Sequence, residues 1–322
     1  MNLILIKLSK KFKFKLTFIF IYLIILIRLF NIFIFKFNFM LIDTHAHINF
    51  KDFKIDAEET IQRALDKNIW MIIVGSEYKT SQRSIKYANK YEKGIYSAIG
   101  LHPVHLEDIK IENKSKDNSY SFYSRAEEFN YDLYKKLATF EKVIAIGEIG
   151  LDYFHIDSKN DILKVKKKQQ DVFRQQLELA IKSNLPVIIH CREAHEDLIN
   201  ILKSFKKEYK NFLPKDKPWG VVHCFSGDED LAWQYFSLGL IISFNGLITF
   251  SKTWDDLIRK MPLEKFIIET DCPYLTPEPY RGKRNEPLFV QYVANRIAEI
   301  KKLDIKKIAE VSTNNARNLF NV

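Results

Sequence analysis

Short apolar runs of strand length recur along this sequence, and five of them lead into potential metal ligands. These ligands are His45, His47, Glu148, His190, His223 and Asp271. Because His45 and His47 stand two residues apart, both imidazoles project from the same side of an extended chain and can chelate one ion. A TIM barrel gathers side chains from the ends of several parallel strands at one face. The pattern therefore predicts a parallel α/β fold with a metal site at that face.

The spacing of the apolar runs supports a complete barrel. Eight predicted strands cover residues 40–43, 69–74, 95–100, 143–147, 186–190, 220–224, 240–244 and 266–270. Amphipathic stretches such as 57–67, 169–183 and 194–205 lie between them and are long enough for right-handed crossovers. Residues 40–322 match the ~250 residues or more that one (β/α)8 barrel requires. The predicted fold class is therefore α/β, a TIM (β/α)8 barrel in one domain.

One polar stretch interrupts this alternation. Residues 109–121 follow the third predicted strand and include Glu112-Asn113-Lys114-Ser115-Lys116-Asp117-Asn118. A stretch of this composition cannot bury much apolar surface. We therefore expect a surface insertion near the predicted site.

The basic charge of the chain is concentrated at its N-terminus. Residues 1–39 hold seven of the 50 basic side chains and no acidic one, which leaves 43 basic against 40 acidic residues, about +3, for the remainder. The uncharged run 16–27 follows five lysines and has the length of a signal-peptide hydrophobic region, short of the ~20 residues that span a bilayer. Residues 1–39 thus predict a secretory signal or membrane anchor. If translation starts instead at Met40, the protein is expected in the cytoplasm.

Six ordered blocks give the sequence a specific resemblance. They are Asp43-Thr44-His45-Ala46-His47, Gly147-Glu148-Ile149-Gly150-Leu151-Asp152-Tyr153, His190-Cys191-Arg192-Glu193-Ala194, His223-Cys224-Phe225-Ser226-Gly227, Glu269-Thr270-Asp271-Cys272-Pro273-Tyr274-Leu275, and Pro279-Tyr280-Arg281-Gly282-Lys283-Arg284-Asn285-Glu286-Pro287. From Met40 onward the chain resembles TatD-like deoxyribonucleases, a branch of the metal-dependent amidohydrolase superfamily. The N-terminal extension and residues 109–121 are not part of the common pattern.

The resemblance implies a centre with two divalent ions. His45, His47 and Asp271 would hold one ion and His190 and His223 the other, with Glu148 bridging them and Asp271 also serving as a base. The resemblance indicates Mg²⁺, whereas mixed imidazole and carboxylate ligands also suit Mn²⁺ or Zn²⁺. The identity of the ion stays open at this point.

The resemblance also implies contacts with substrate. His102 would face the scissile phosphate, and Arg192 and Ser226 would bind phosphate oxygens. Arg281 would grip the strand, although anchoring of its own loop is an equal alternative. Tyr153 and Phe225 are candidates for stacking on a base, against the alternative that both are core aromatics.

We therefore expect a metal-dependent deoxyribonuclease that uses a metal-activated water and shortens single strands in the 3′ to 5′ direction, with DNA as substrate and no obligate protein partner. One alternative is a hydrolase of small amides, lactones or phosphoesters, because the same ligands activate water against any of them. The other is a non-catalytic nucleic-acid-binding protein, anchored to a membrane by residues 1–39.

Overall fold

The computed structural model describes residues 39–115 and 118–322, without the side chains of residues 112–122. The predicted signal or anchor segment lies outside the described residues, apart from Phe39, so its role stays a prediction. Among the helices that the structure describes, none combines the length and apolar character needed to cross a bilayer.

Eight parallel strands form the centre of the fold. Together with two hairpin strands they run β1 Leu41–Ala46, β2 Ile69–Val74, β3 Ile95–Ile99, β4 Ile109–Ser115, β5 Asn118–Ser124, β6 Val143–Asp152, β7 Val187–Arg192, β8 Gly220–Val222, β9 Leu240–Phe244 and β10 Phe266–Ile268. The sheet order is β1-β2-β3-β6-β7-β8-β9-β10. A parallel bridge between Ala46 and Cys272 joins β1 to the segment that follows β10. The predicted eight-stranded barrel is therefore confirmed.

Helices alternate with the strands, as the spacing predicted. They are α1 Ala57–Leu65, α2 Tyr78–Ala88, α3 Tyr131–Leu137, α4 Ile162–Ser183, α5 His195–Glu208, α6 Glu229–Ser237, α7 Asp255–Lys260, α8 Val290–Lys301 and α9 Ile305–Phe320. Side chains cap several of them: the Asp161 carboxylate, for example, accepts from the Lys164 backbone N–H at the start of α4. Such caps satisfy amide groups that have no partner within the helix.

One apolar cluster joins all eight barrel strands. It contains Ile42, Ile72, Val74, Ala98, Ile144, Ala145, Ile188, Val221, Ile241 and Ile267, together with Ala316, Leu319 and Phe320 of α9. Because every barrel strand contributes to it, burial of this cluster stabilises closure of the barrel as a unit. The ends of the strands are thereby held in a fixed arrangement.

The polar stretch after β3, predicted as a surface insertion, contributes to an antiparallel hairpin. Strands β4 and β5 pair antiparallel, with Ile109 opposite Ser124 and Lys110 opposite Tyr123. The hairpin is tied to the barrel at its base, where the Ser124 hydroxyl donates to the Val104 carbonyl at 3.0 Å. Hydrogen bonds between the two strands satisfy their backbone N–H and C=O groups, a pairing that the side-chain pattern alone did not predict.

Candidate metal centre

The six predicted ligands converge at one end of the barrel. His45 lies in β1, Glu148 in β6 and His190 in β7. The other three, His47, His223 and Asp271, follow β1, β8 and β10. All except the fully buried His45 line a cavity of about 900 Å³.

Glu148 divides these ligands into two groups. Its Oε2 atom lies 3.4 Å from His45 Nε2 and 3.6 Å from His47 Nε2. Its Oε1 atom lies 2.9 Å from His190 Nδ1 and 2.7 Å from His223 Nε2. Asp271 completes the first group, with Oδ1 3.4 Å from His47 Nε2. One carboxylate therefore presents its two oxygens to two separate sets of nitrogen atoms.

The hydrogen bonds of the histidines fit a bound metal. His47 Nδ1 lies 3.0 Å from the Val74 carbonyl, which only accepts, so Nε2 carries the lone pair that faces the centre. His190 Nε2 lies 3.1 Å from Asp152 Oδ2, which leaves the Nδ1 lone pair facing Glu148. Two acceptors at such distances are stabilised when a metal ion or a proton lies between them. The donor set of imidazole nitrogens and carboxylate oxygens therefore fits divalent ions held by these residues.

His102 differs from the four histidines of this centre. Its Nδ1 atom accepts a hydrogen bond from the Val104 backbone N–H at 3.1 Å, so its Nε2 carries the proton. Nε2 lies 3.2 Å from Glu148 Oε1. His102, Asp152 and His190 also come close enough to form a third group of potential ligands. The tautomer nevertheless makes His102 a hydrogen-bond donor in the cavity.

Charges within the centre keep its carboxylates ionised. Burial opposes ionisation of Glu148, but its interactions with His102 and His223 hold its pKa well below the usual range. Burial likewise opposes ionisation of Asp271, but its close contact with the His47 imidazole outweighs burial and lowers the pKa. Both groups are therefore carboxylates at neutral pH, the form that binds metal.

A second layer of carboxylates supports the histidines. Asp152 is 1% exposed, and its Oδ2 lies 2.8 Å from His155 Nδ1 as well as beside His190. Glu269 Oε1 lies 3.5 Å from His223 Nδ1. Outer carboxylates of this kind orient metal-binding imidazoles. The sequence alone assigned neither residue a role in the site.

An even spacing from a predicted ligand was the sequence signal that could have identified the carboxylates of this second layer. Asp152 lies four residues beyond Glu148, and Glu269 lies two before Asp271. Side chains at even spacing share one face of an extended chain. The predicted strand 143–147 ended too early, because β6 continues through Asp152 and is buried along its whole length. The charge of Glu148 suggested that the strand ends before it, but the histidines around its carboxylate allow it to be buried within the strand.

Local backbone geometry positions two of the ligands. Asp271 has φ near 56°, in the left-handed region that ordinary residues seldom adopt. Its backbone N–H donates to the His45 carbonyl at 2.9 Å, which holds this turn against β1. Gly147, next to Glu148, packs so closely on β7 that an added Cβ would lie 2.5 Å from Ile188 Cβ. Only glycine permits this approach.

The predicted substrate contacts lie in different places. His102, Arg192, Ser226 and Arg281 line the cavity. Tyr153 is absent from the cavity lining, because its hydroxyl donates to Asp197 Oδ2 at 2.7 Å in a contact with α5.

The other base-stacking candidate, Phe225, is 3% exposed and packs edge-on against Tyr235, in keeping with the core alternative. Basic side chains of the last block have separate partners. Arg284 pairs with Asp56 and Glu286, in keeping with loop anchoring, while Arg281 stacks on Phe250 at 3.5 Å.

Comparisons with known proteins identify the family of this chain. A family model described as TatD related DNase matches residues 42–321. The uncharacterized metal-dependent hydrolase YabD of Bacillus subtilis is 39% identical over 286 residues, covering 88% of this chain and all of that protein. The crystal structure of the TatD homologue YjjV from Escherichia coli shares 33% identity and a TM-score of 0.71, covering 88% of this chain and 98% of that one. A TatD family hydrolase structure from Entamoeba histolytica gives 25% identity and a TM-score of 0.69, covering 87% and 98%.

Proposed function

Because this chain belongs to the TatD-related DNase family and is a metal-dependent hydrolase, we propose that it hydrolyses phosphodiester bonds of DNA with two divalent ions, most favourably Mg²⁺. We further propose that it removes nucleotides from the 3′ ends of single strands. The preference for 3′ ends follows from the family resemblance, and DNA as the substrate also has support from the cavity.

The observation that carries this proposal is the charge around the cavity. Among the residues that the structure describes, six cationic side chains line it, Lys51, Lys79, Arg83, Arg125, Arg192 and Arg281. Apart from the carboxylates of the metal centre and its support, the acidic lining residues within that part of the chain are Asp52 and Glu77. A cationic rim above a metal centre suits a polyanion with phosphates on both sides of the reacting one. Neutral amides and lactones gain nothing from it.

Two of these arginines are held in place by aromatic rings. The guanidinium carbon of Arg192 lies 3.8 Å from the centre of the Phe154 ring, and that of Arg281 lies 3.5 Å from the Phe250 ring. Stacking uses the face of the Arg192 guanidinium and leaves its in-plane N–H groups suited to bidentate contacts with phosphate. Ser226 adds a hydroxyl to the cavity lining, 3.3 Å from His195 Nε2 and 3.4 Å from the Cys191 carbonyl.

The chain's own residues supply the remaining chemistry. When bound, divalent ions lower the pKa of water and stabilise the charge of an in-line phosphoryl displacement. The ionised Asp271 accepts the proton of the attacking water. Burial lowers the pKa of His102, so its neutral ring donates an Nε2 hydrogen bond to a phosphate oxygen. Asp152 and Glu269 keep His190 and His223 oriented toward the centre.

The proposal is tested with single-stranded DNA labelled at either end. We expect the full chain with added Mg²⁺, Mn²⁺ or Zn²⁺ to shorten the strand from its 3′ end, and EDTA to abolish cleavage. Glu148→Gln should reduce the rate about a thousandfold or more, because the bound ions supply several kcal/mol of stabilisation. Glu310→Gln, on the exposed face of α9, serves as the matched control.

Metal-replete protein that leaves DNA intact would refute the proposal. Turnover of small amides, lactones or phosphoesters by the same preparation would then establish the alternative. Shortening from the 5′ end would contradict only the proposed polarity. Membership in a hydrolase family argues against the non-catalytic alternative, which predicts DNA binding that survives Glu148→Gln and is lost when residues 1–39 are deleted.

A further inference from the structure

The β4–β5 hairpin reaches the cavity from outside the βα alternation of the barrel. Its two strands leave the barrel just after the turn Pro103–Leu106, which follows His102. Tyr123 and Ile111 of the hairpin, and Arg125 just beyond it, line the same cavity as the metal ligands. The hairpin therefore forms part of the wall beside the candidate centre.

The two faces of the hairpin are used differently. Ile111 is 3% exposed and packs inward. Tyr123 lies on the opposite face and is 62% exposed, although the large ring of a tyrosine is usually mostly buried. Arg125 follows two residues later on the same face of the chain and is also exposed. Within the described part of the chain it has no acidic partner.

The base of the hairpin is fixed rather than loosely attached. Ser124, between Tyr123 and Arg125, is 1% exposed, and its hydroxyl lies 2.7 Å from His105 Nδ1. The Glu127 backbone N–H donates to the His105 carbonyl at 2.7 Å. His105 is only three residues from His102, which lines the cavity, so these hydrogen bonds hold the base of the hairpin beside the cavity. An aromatic ring and a cation are thus presented at a constrained position.

An exposed aromatic ring next to a cation is the combination that binds single-stranded nucleic acid. The ring stacks on a base and the cation contacts the backbone phosphate, whatever the base sequence. Building on the proposed function, we infer that Tyr123 stacks on one base of the bound DNA strand, away from the reacting phosphate, while Arg125 contacts a neighbouring phosphate. The hairpin thereby provides a substrate-binding subsite beyond the metal centre.

Abasic substrates test the stacking contact directly. A series of single-stranded oligonucleotides, each with one abasic position at increasing distance from the 3′ end, is cleaved by the metal-loaded full chain and by Tyr123→Ala. On intact DNA we expect Tyr123→Ala to lower kcat/KM about 5- to 150-fold, the range for loss of one base stack. On the oligonucleotide that lacks the stacked base, the two proteins should be equal. Tyr123→Phe should behave as the parent protein.

A matched control variant and a second measurement, the salt dependence of binding, exclude a general effect on folding. Phe212→Ala removes an exposed aromatic ring that does not line the cavity, and it should leave every substrate unchanged. Arg125→Gln should reduce the slope of log binding constant against log salt concentration by about 0.7, the value for one phosphate contact on a single strand. Tyr123→Ala should lower affinity without changing that slope.

The outcomes separate this inference from the proposed function. Equal activity of Tyr123→Ala and the parent on intact DNA, or the same loss on every abasic substrate, would overturn it. Fluorescence anisotropy of the labelled strand gives binding without cleavage. Binding that depends on Tyr123 in a protein that cuts no DNA would uphold the subsite and refute the nuclease, whereas absence of both binding and cleavage would refute both.

Discussion

Replacement of Asp152 tests whether the second layer controls metal binding. The Asp152 carboxylate is 1% exposed and holds His190 Nε2 at 3.1 Å, which directs Nδ1 at Glu148. In Asp152→Asn the charge is lost, and the amide NH₂ competes with the carbonyl oxygen for the position facing the two imidazoles. His190 can then adopt the other tautomer, whose Nδ1 carries a proton and cannot bind metal.

The magnitude follows from the contact that is lost. One charge-assisted hydrogen bond to a buried group contributes about 1.5–3 kcal/mol. Converted at about 1.4 kcal/mol for each factor of ten, this predicts at least a tenfold rise in the dissociation constant of the ion near His190. Substitutions of such outer partners usually weaken metal binding 10- to 100-fold, so we expect a value in that range.

Calorimetric titration of metal-free protein with Mn²⁺ or Zn²⁺ measures this constant. Asp197→Asn is the matched control, because its carboxylate binds Tyr153 and Gln170 and does not contact a predicted ligand. Asp152→Asn with a dissociation constant within twofold of the parent would refute the argument. A weakened constant in both variants would point to a general loss of structure instead.

Two further predictions concern stability. The Arg284 hydrogen bond lowers the pKa of Asp56, so the pair stabilises the fold above the unfolded pKa near 4 and loses this effect as pH falls through the folded pKa. Asp56→Asn should therefore lower the free energy of unfolding by about 1 kcal/mol at pH 7, given solvent screening. Denaturant titrations that show the same loss near pH 3 would contradict this. Gly147→Ala should cost about 1–3 kcal/mol by overpacking against Ile188, and an unchanged denaturation midpoint would show that β7 yields to the added methyl group.

The sequence by itself determined the strands of the barrel and the six converging side chains. Alternation of apolar runs with amphipathic stretches is a local property, and each run can be read without knowledge of the others. The chemistry of His45, His47, Glu148, His190, His223 and Asp271 is likewise intrinsic to the residues. Their positions after apolar runs were enough to predict one shared site, because a parallel barrel has only one end where its strands finish.

Only the tertiary structure decided how the side chains of the site are used. The tautomers of His102 and His190 depend on Val104 and Asp152, which the chain brings to them by tertiary contact or by a turn. Tyr153 bonds Asp197 instead of lining the cavity, while Tyr123, just beyond the polar stretch 109–121, lines it. These outcomes depend on strand register and barrel closure, which place residues distant in sequence within hydrogen-bonding range. Periodicity along one segment carries no information about which segment will face it.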